Sequence, residues 1–304
     1  MVWLCSQVPY EQGRHIAKRL GGWDIPVGTL WNTTQRQGER LVSALASQAA
    51  QVSLERTAWK NALYAPTARK AVSMDGGMVN VRGEGWKELK VGLVADIPTL
   101  NAVDEDGHTH LTNLCYAGVV GDVSAFESVL WALAVQHAIP YAGLVVVTAD
   151  GAAWIWRLCA DYFPCAVQVV DWFHACQHLA EAAQARFPDD PTAALRWTQD
   201  LKALLFKGEI HLILEQFDHY ALNTYANYFS EHARRMQYAQ FRASGWPIGS
   251  GGVERASSNS NSACRDLGCA GPVLPLSVSL SCVLLFSAKL LTSFGGLPKT
   301  RPQI

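Results

Sequence analysis

The sequence predicts an α/β fold, a mixed sheet flanked by helices, joined to an all-helical segment. Three observations predict it. Between residues 71 and 120 apolar residues recur in three runs with strand character, separated by turn-rich text. Residues 144–148 and 166–170 are short and nearly all apolar, as central strands covered on both faces are. From Pro191 to Gln240 the pattern is helical throughout, with no strand signal.

Taken in order, residues 8–46 read as two or three short helices. Tyr10 to Leu20 has helical spacing, Gly21-Gly22 breaks it, and Val27 to Leu45 restarts it. Two helices about a glycine turn have the outline of a helix-turn-helix, with Thr29 to Arg40 as the recognition helix. Arg14, Lys18, Arg19, Arg36 and Arg40 then meet phosphates; a helical hairpin with a solvated basic face fits the same text. The strands follow: 71–81 around a Gly-Gly pair, 87–97, and 111–120, an antiparallel meander. Ser124–His137 is a helix with Phe126, Val129, Leu130 and Leu133 on one face. The two apolar strands come next, with a helix (152–162) between them and another (172–186) after. Three strands, helix, strand, helix, strand, helix is the order of a ribonuclease H-like fold.

Composition narrows the function. The chain has 304 residues, enough for a sizeable core, and 49% hydrophobic with 17% charged residues suits a globular protein. A formal charge of −1 supplies no general attraction to nucleic acid, so any DNA contact comes from local patches. None of the eight cysteines forms a C-x-x-C pair, which argues against a zinc ribbon or a thioredoxin-type site. Without a convincing signal peptide the expected location is a reducing cytoplasm. The apolar run Val273–Leu291 is long enough to span a membrane, but Pro275, four serines and Lys289 argue against a membrane partner.

Three acidic residues occupy chemically suggestive places. Asp75 lies inside the first strand, in Ser-Met-Asp-Gly-Gly. Asp150 ends the fourth strand, in Val-Thr-Ala-Asp-Gly. Glu254 follows a glycine-rich turn, Gly245 to Gly252. A carboxylate at an apolar strand end is costly to desolvate unless compensated, and a divalent cation compensates it. Phosphodiester chemistry needs an attacking oxygen activated and a leaving oxygen stabilised, which two Mg²⁺ about 3.5–4 Å apart accomplish through shared hard oxygen ligands. Three acids among the 26 acidic residues are, by spacing alone, a weak signal.

Wider motifs carry more. The segments SMDGGMVNVRGEGWKELKVGLV, TADGAAWIWRLCADYFPCAVQVVDWFHACQHL, NYFSEHARRMQYAQFRASGWPIGSG and the following GVE resemble bacterial insertion-sequence transposases of the DDE type, the group with an Asp- or Cys-x-x-His motif and a helical insertion before the final glutamate. The likeness runs through about residues 8–256. It implies that Asp75, Asp150 and Glu254 are the catalytic metal ligands, holding two Mg²⁺ (or Mn²⁺) ions. It implies that Asp171 and His174, in Asp-Trp-Phe-His, stand beside them. The implied activity is metal-dependent phosphodiester hydrolysis and strand transfer, by an endonuclease of a mobile element. The implied partners are terminal inverted repeats, target DNA and further copies of the chain, in a bacterial, nucleoid-associated setting.

The supporting residues keep more than one reading. Arg234, Arg235 and Arg242, with Tyr238 and Phe241, either meet DNA backbone or form a solvated helix face. His174 and His178, four apart on one helix, resemble half a zinc site, but no third ligand lies at suitable spacing. Trp154 and Trp156 read as core packing. Two rivals fit as well: a non-catalytic DNA-binding transposase remnant, and a ribonuclease H-like nuclease or resolvase.

The expected division is a helical segment over 1–65, a ribonuclease H-like core over 66–190, a helical insertion over 191–244, the return of the core over 245–256, and an aberrant tail over 257–304, disordered or frameshifted. The family pattern stops after Glu254, where Ser257-Ser258-Asn259-Ser260-Asn261-Ser262 disfavours the expected helix. A reading-frame shift explains the change and implies a defective chain. The encoding DNA tests this: one of the two other frames should continue the family pattern past codon 256, and failure of both removes the explanation.

Overall fold

The computed structural model describes residues 2–8, 10–55, 65–81, 85–98 and 109–250. A five-stranded mixed sheet organises them. Strands β1 (Ala65–Val81), β2 (Gly85–Asp96) and β3 (Thr112–Val120) form an antiparallel meander, and β4 (Ala142–Ala149) and β5 (Val167–Val170) extend it in parallel beyond β1. The order across the sheet is β3-β2-β1-β4-β5. The meander and the two apolar strands stand as expected. β1 starts at Ala65, earlier than position 71, because its first residues, Ala-Pro-Thr-Ala-Arg, pair irregularly with β4 and carry no strand-like alternation. The boundary expected at 65/66 therefore falls at the very start of a strand.

Connections of helical length join the parallel strands, as parallel pairing requires. Helix α4 (Val123–Gln136) precedes β4, α5 (Ala153–Tyr162) bridges β4 and β5, and α6 (Trp172–Arg186) follows β5. Asp122 caps α4 by accepting the Ala125 N–H. Phe126 and Leu130 of α4 are fully buried and lie over Gly92 of β2. A Cβ at Gly92 would come within 2.7 Å of Leu130 Cδ1 and 3.1 Å of Phe126 Cζ, so this glycine sets how closely helix and sheet approach.

Residues 191–243 form four helices: α7 (Pro191–Lys207), α8 (Ile210–His219), α9 (Asn223–His232) and α10 (Tyr238–Ala243). Asp190 caps α7, Pro191 opens it, and Gly208 closes it in the left-handed conformation. Their shared core is aromatic: Trp197 packs on Phe217, and Phe217 on Phe229, with ring centroids 6.0 and 5.6 Å apart.

The N-terminal part is also helical, with α1 (Val2–Gln7), α2 (Tyr10–Gly21) and α3 (Val27–Glu55). The expected recognition helix, Thr29 to Arg40, is only the first part of α3, which runs 29 residues. No glycine or proline interrupts Glu39–Glu55, and its alanines and leucines carry the helix on. α3 packs against α4 of the sheet layer and buries Leu30 and Thr34, while Arg36 and Arg40 are exposed. Two of the cations expected to meet phosphates are engaged inside the hairpin, since Lys18 Nζ lies 2.8 Å and Arg14 3.5 Å from Asp24. No helix among the described residues is long and apolar enough to cross a membrane, and Val273–Leu291 lies outside them.

Gly92→Val should lower stability by about 1–3 kcal/mol through overpacking against α4. Urea unfolding midpoints check this. An unchanged midpoint would mean that α4 yields and that the glycine does not set the spacing.

Candidate active site

Strand register assembles the first two predicted residues. Met74 of β1 is the partner of Ala149 of β4, so Asp75 and Asp150 follow at adjoining positions where β4 stops, on strands about 4.8 Å apart. The next pair along, Ala149 of β4 with Val170 of β5, brings Asp171 to the same row, and the Asp171 N–H donates to the Ala149 carbonyl at 2.7 Å. Asp75, Asp150 and Asp171 thus lie in one row across three parallel strands, where β4 and β5 end and α/β sheets gather their ligands. β1 continues past this row to Val81, paired there with β2.

The three carboxylates are used differently. Asp171 is fully buried, and both of its oxygens accept backbone N–H groups. Oδ1 takes those of Phe173 and His174 at 2.6 and 3.0 Å, capping α6, and Oδ2 takes that of Ser250. Burial pushes this carboxyl up, but the bonds from His174 and Ser250 more than offset it and hold it below its ordinary range. His174 Nδ1 lies 3.5 Å from Asp171 Oδ1, which puts the histidine beside the row. Asp75 and Asp150 are half-buried, and each accepts a local N–H, from Gly76 at 2.8 Å and from Ala152 at 2.9 Å.

The glycine turn lies across the ends of β4 and β5. The Thr148 hydroxyl donates to the Pro247 carbonyl at 3.3 Å, and the Trp172 N–H donates to the Ile248 carbonyl at 2.8 Å. Arg69 of β1 anchors the start of the turn through the Ser244 and Gly245 carbonyls. Gly249 sits where a Cβ would lie 3.2 Å from the Phe173 ring, so the turn runs close against α6. Glu254, the third expected acid, lies outside the described residues.

Helix α9 supplies residues that the sequence did not single out. The Tyr228 hydroxyl donates to the Asp150 carbonyl at 3.1 Å. Its ring lies 4.1 Å from that of His178 and 4.9 Å from that of His232. Burial, with Asp150 and Asp171 adding to it, pushes the Tyr228 phenol well up, so its proton stays on. His232 is buried, and its Nδ1 lies 3.0 Å from an Arg235 guanidinium nitrogen. Burial, assisted by the Arg235 cation, holds this imidazole below its usual range, in the neutral form. Tyr228 and His232 stand four apart on one helix, a spacing visible in the sequence, though nothing there revealed what the face meets. Lys90 was missed too. It is buried on β2 opposite Gly76, 3.3 Å from the Glu88 carboxylate and 4.9 Å over the Trp154 ring.

The arginines divide. Arg235 is half-buried and held by neighbours: it donates to Gln168 of β5 at 2.7 Å, meets His232, and stacks 4.5 Å over Trp156. The neighbouring aromatic and amide groups thus hold the guanidinium in place, so it does not stand on a freely solvated helix face. Arg242 lies 5.4 Å over Phe206, while Arg234 is exposed. Tyr238 and Phe241 are buried, the former donating to the Val170 carbonyl at 3.0 Å. Trp156 is core, as expected, and Trp154 packs edge-on to Phe126. His178 pairs with Glu181 at 3.2 Å. Among the described residues no group of three or more His, Cys, Asp or Glu is placed to hold a metal. Comparison with family models and with curated proteins returns no match.

Asp171→Asn should cost about 1–3 kcal/mol at pH 7, since one amide cannot accept all three N–H groups. The native carboxyl sits below its unfolded value of about 3.9, so its contribution is full above that pH and is lost as pH falls through the folded value. Urea midpoints at pH 7, 5 and 3 should show the gap between variant and parent closing only at the acid end. A gap that is constant with pH would assign the loss to packing instead.

Proposed function

We propose that this chain is a DNA transposase of the DDE type, with a ribonuclease H-like core, whose reaction centre is the row of strand ends at Asp75 and Asp150. One observation carries the proposal: the register that sets these two carboxylates side by side where β4 stops. The sheet order, with β2 alone running against the other four strands, is compatible with that fold. The glycine turn supports it further, since Ser250 is tied to Asp171 in the same row and Glu254 is four residues further along the chain.

The residues suit a hard divalent cation. Two adjoining carboxylates, half-buried and reached by local N–H donors, offer hard oxygen ligands of the kind Mg²⁺ or Mn²⁺ takes. Asp75 and Asp150, with Glu254, would hold two such ions, which supply charge neutralisation and activation of an attacking oxygen when bound. The chain's own part is positioning. Asp171 keeps the α6 start and the glycine turn together, His174 stands beside it, and the exposed Arg36, Arg40 and Arg234 offer cations to DNA phosphates. Terminal inverted repeats and target DNA are the proposed substrates, bound by an oligomer of this chain. Phosphodiester transfer of this kind gains mainly from positioning and electrostatics.

The test is metal-dependent nicking and joining of DNA carrying the terminal repeats. Asp150→Ala and Asp75→Ala should each reduce the rate by roughly a hundredfold or more, with DNA binding retained. Undiminished activity in Asp150→Ala would overturn the assignment. DNA binding that weakens steeply with salt, in a parent chain that never cleaves, would identify the non-catalytic remnant. Cleavage of branched DNA or hybrids without joining would identify the nuclease.

A further inference from the structure

We propose that helix α9, within the helical segment before the glycine turn, is a clamp on the Asp150 turn, with Tyr228 as the positioning residue that sets the Asp150 carboxylate for metal binding. The inference rests on the reading of Asp75 and Asp150 as metal ligands.

The geometry is specific. Asp150 leaves β4 and passes at once into Gly151, whose φ of +106° few other residues adopt. A turn of this kind has little intrinsic preference for one peptide orientation, so something must hold the carbonyl of residue 150. Tyr228 does so, with its hydroxyl 3.1 Å from that oxygen. The same ring closes over Gly151, where a Cβ would come within 3.1 Å of the Tyr228 ring and 3.3 Å of His232 Nε2. Tyr228 and His232 therefore form two sides of a slot that only a glycine backbone enters. The slot is rigid. His232 is held by Arg235, which is held in turn by Gln168 and Trp156, and the Tyr228 ring is backed by His178 of α6. From the start of α5, the Ala152 N–H donates to Asp150 Oδ1, so the carboxylate orientation depends on the turn that Tyr228 holds. This gives the helical segment a task beyond spacing, because it completes the shell that orients a ligand.

Tyr228→Phe removes only the hydroxyl and keeps the ring that fills the slot. Three measurements on the full chain without DNA decide the matter: Mn²⁺ binding by titration, amide hydrogen exchange across residues 149–153, and the unfolding temperature. The proposal expects Mn²⁺ affinity to fall about tenfold, exchange to rise in that segment, and the unfolding temperature to stay nearly constant. A structural role alone would lower the unfolding temperature and leave Mn²⁺ affinity unchanged, which would overturn the proposal. So would exchange identical to that of the parent. If the parent itself takes up no Mn²⁺, the functional reading fails and the metal role of Tyr228 falls with it. Faster exchange in Tyr228→Phe would then still establish the hold on the turn.

Discussion

The buried carboxylate of Asp171 is the constraint on which the rest of this structure turns. An ionised group with no exposure is tolerated only when its oxygens are saturated, and here three backbone N–H groups do that. Two come from the first turn of α6 and one from Ser250, 79 positions later. One side chain thus starts a helix and captures the returning chain. It also keeps a negative charge beside Asp150, in a row that would be hard to hold together without hydrogen-bond compensation of this kind.

Around that anchor, the sheet and the helical segment divide the labour. Register places Asp75 next to Asp150, and a slip of one residue between β1 and β4 would turn Asp75 to the opposite face. The helices of residues 191–243 carry an aromatic cluster that is continuous with the core of the sheet, and α9 reaches back from it to the strand ends. The contact between the two parts is polar and aromatic: Tyr228 on the Asp150 carbonyl, Arg235 between Gln168 and Trp156, Tyr238 on the Val170 carbonyl. Such bonds fix orientation more than they add stability.

Much of the fold was legible in the sequence because its periods are unmixed. The meander, the two apolar strands and the helix starting after Asp171 are local patterns, and the structure has them within a few residues. Asp150 at the end of an apolar strand was visible in the sequence, but its alignment with Asp75, which lies inside β1, depends on the register between β1 and β4. The partners of these residues were not visible. Tyr228 and His232 act on Gly151 from about 80 positions away, and no local pattern encodes that meeting. Arg235 read equally as a DNA-backbone contact or a solvated cation, because helical spacing says nothing of the Trp156 ring it stacks on. The length of α3 was underestimated for the opposite reason: absence of a breaker is a weaker sign than presence of one.

The glycine turn also has a consequence in time. Its bonds join residues 99 apart at Thr148 and Pro247, and 175 apart at Arg69 and Ser244. During synthesis at about 5–20 residues per second, the Asp171 carboxylate waits roughly 4–16 s for its third donor, since Ser250 emerges 79 residues later. Until then a buried acceptor is incomplete, and the end of the sheet stays open. The row of strand ends is therefore among the last features of the described chain to close, even though its strands are among the first to be made.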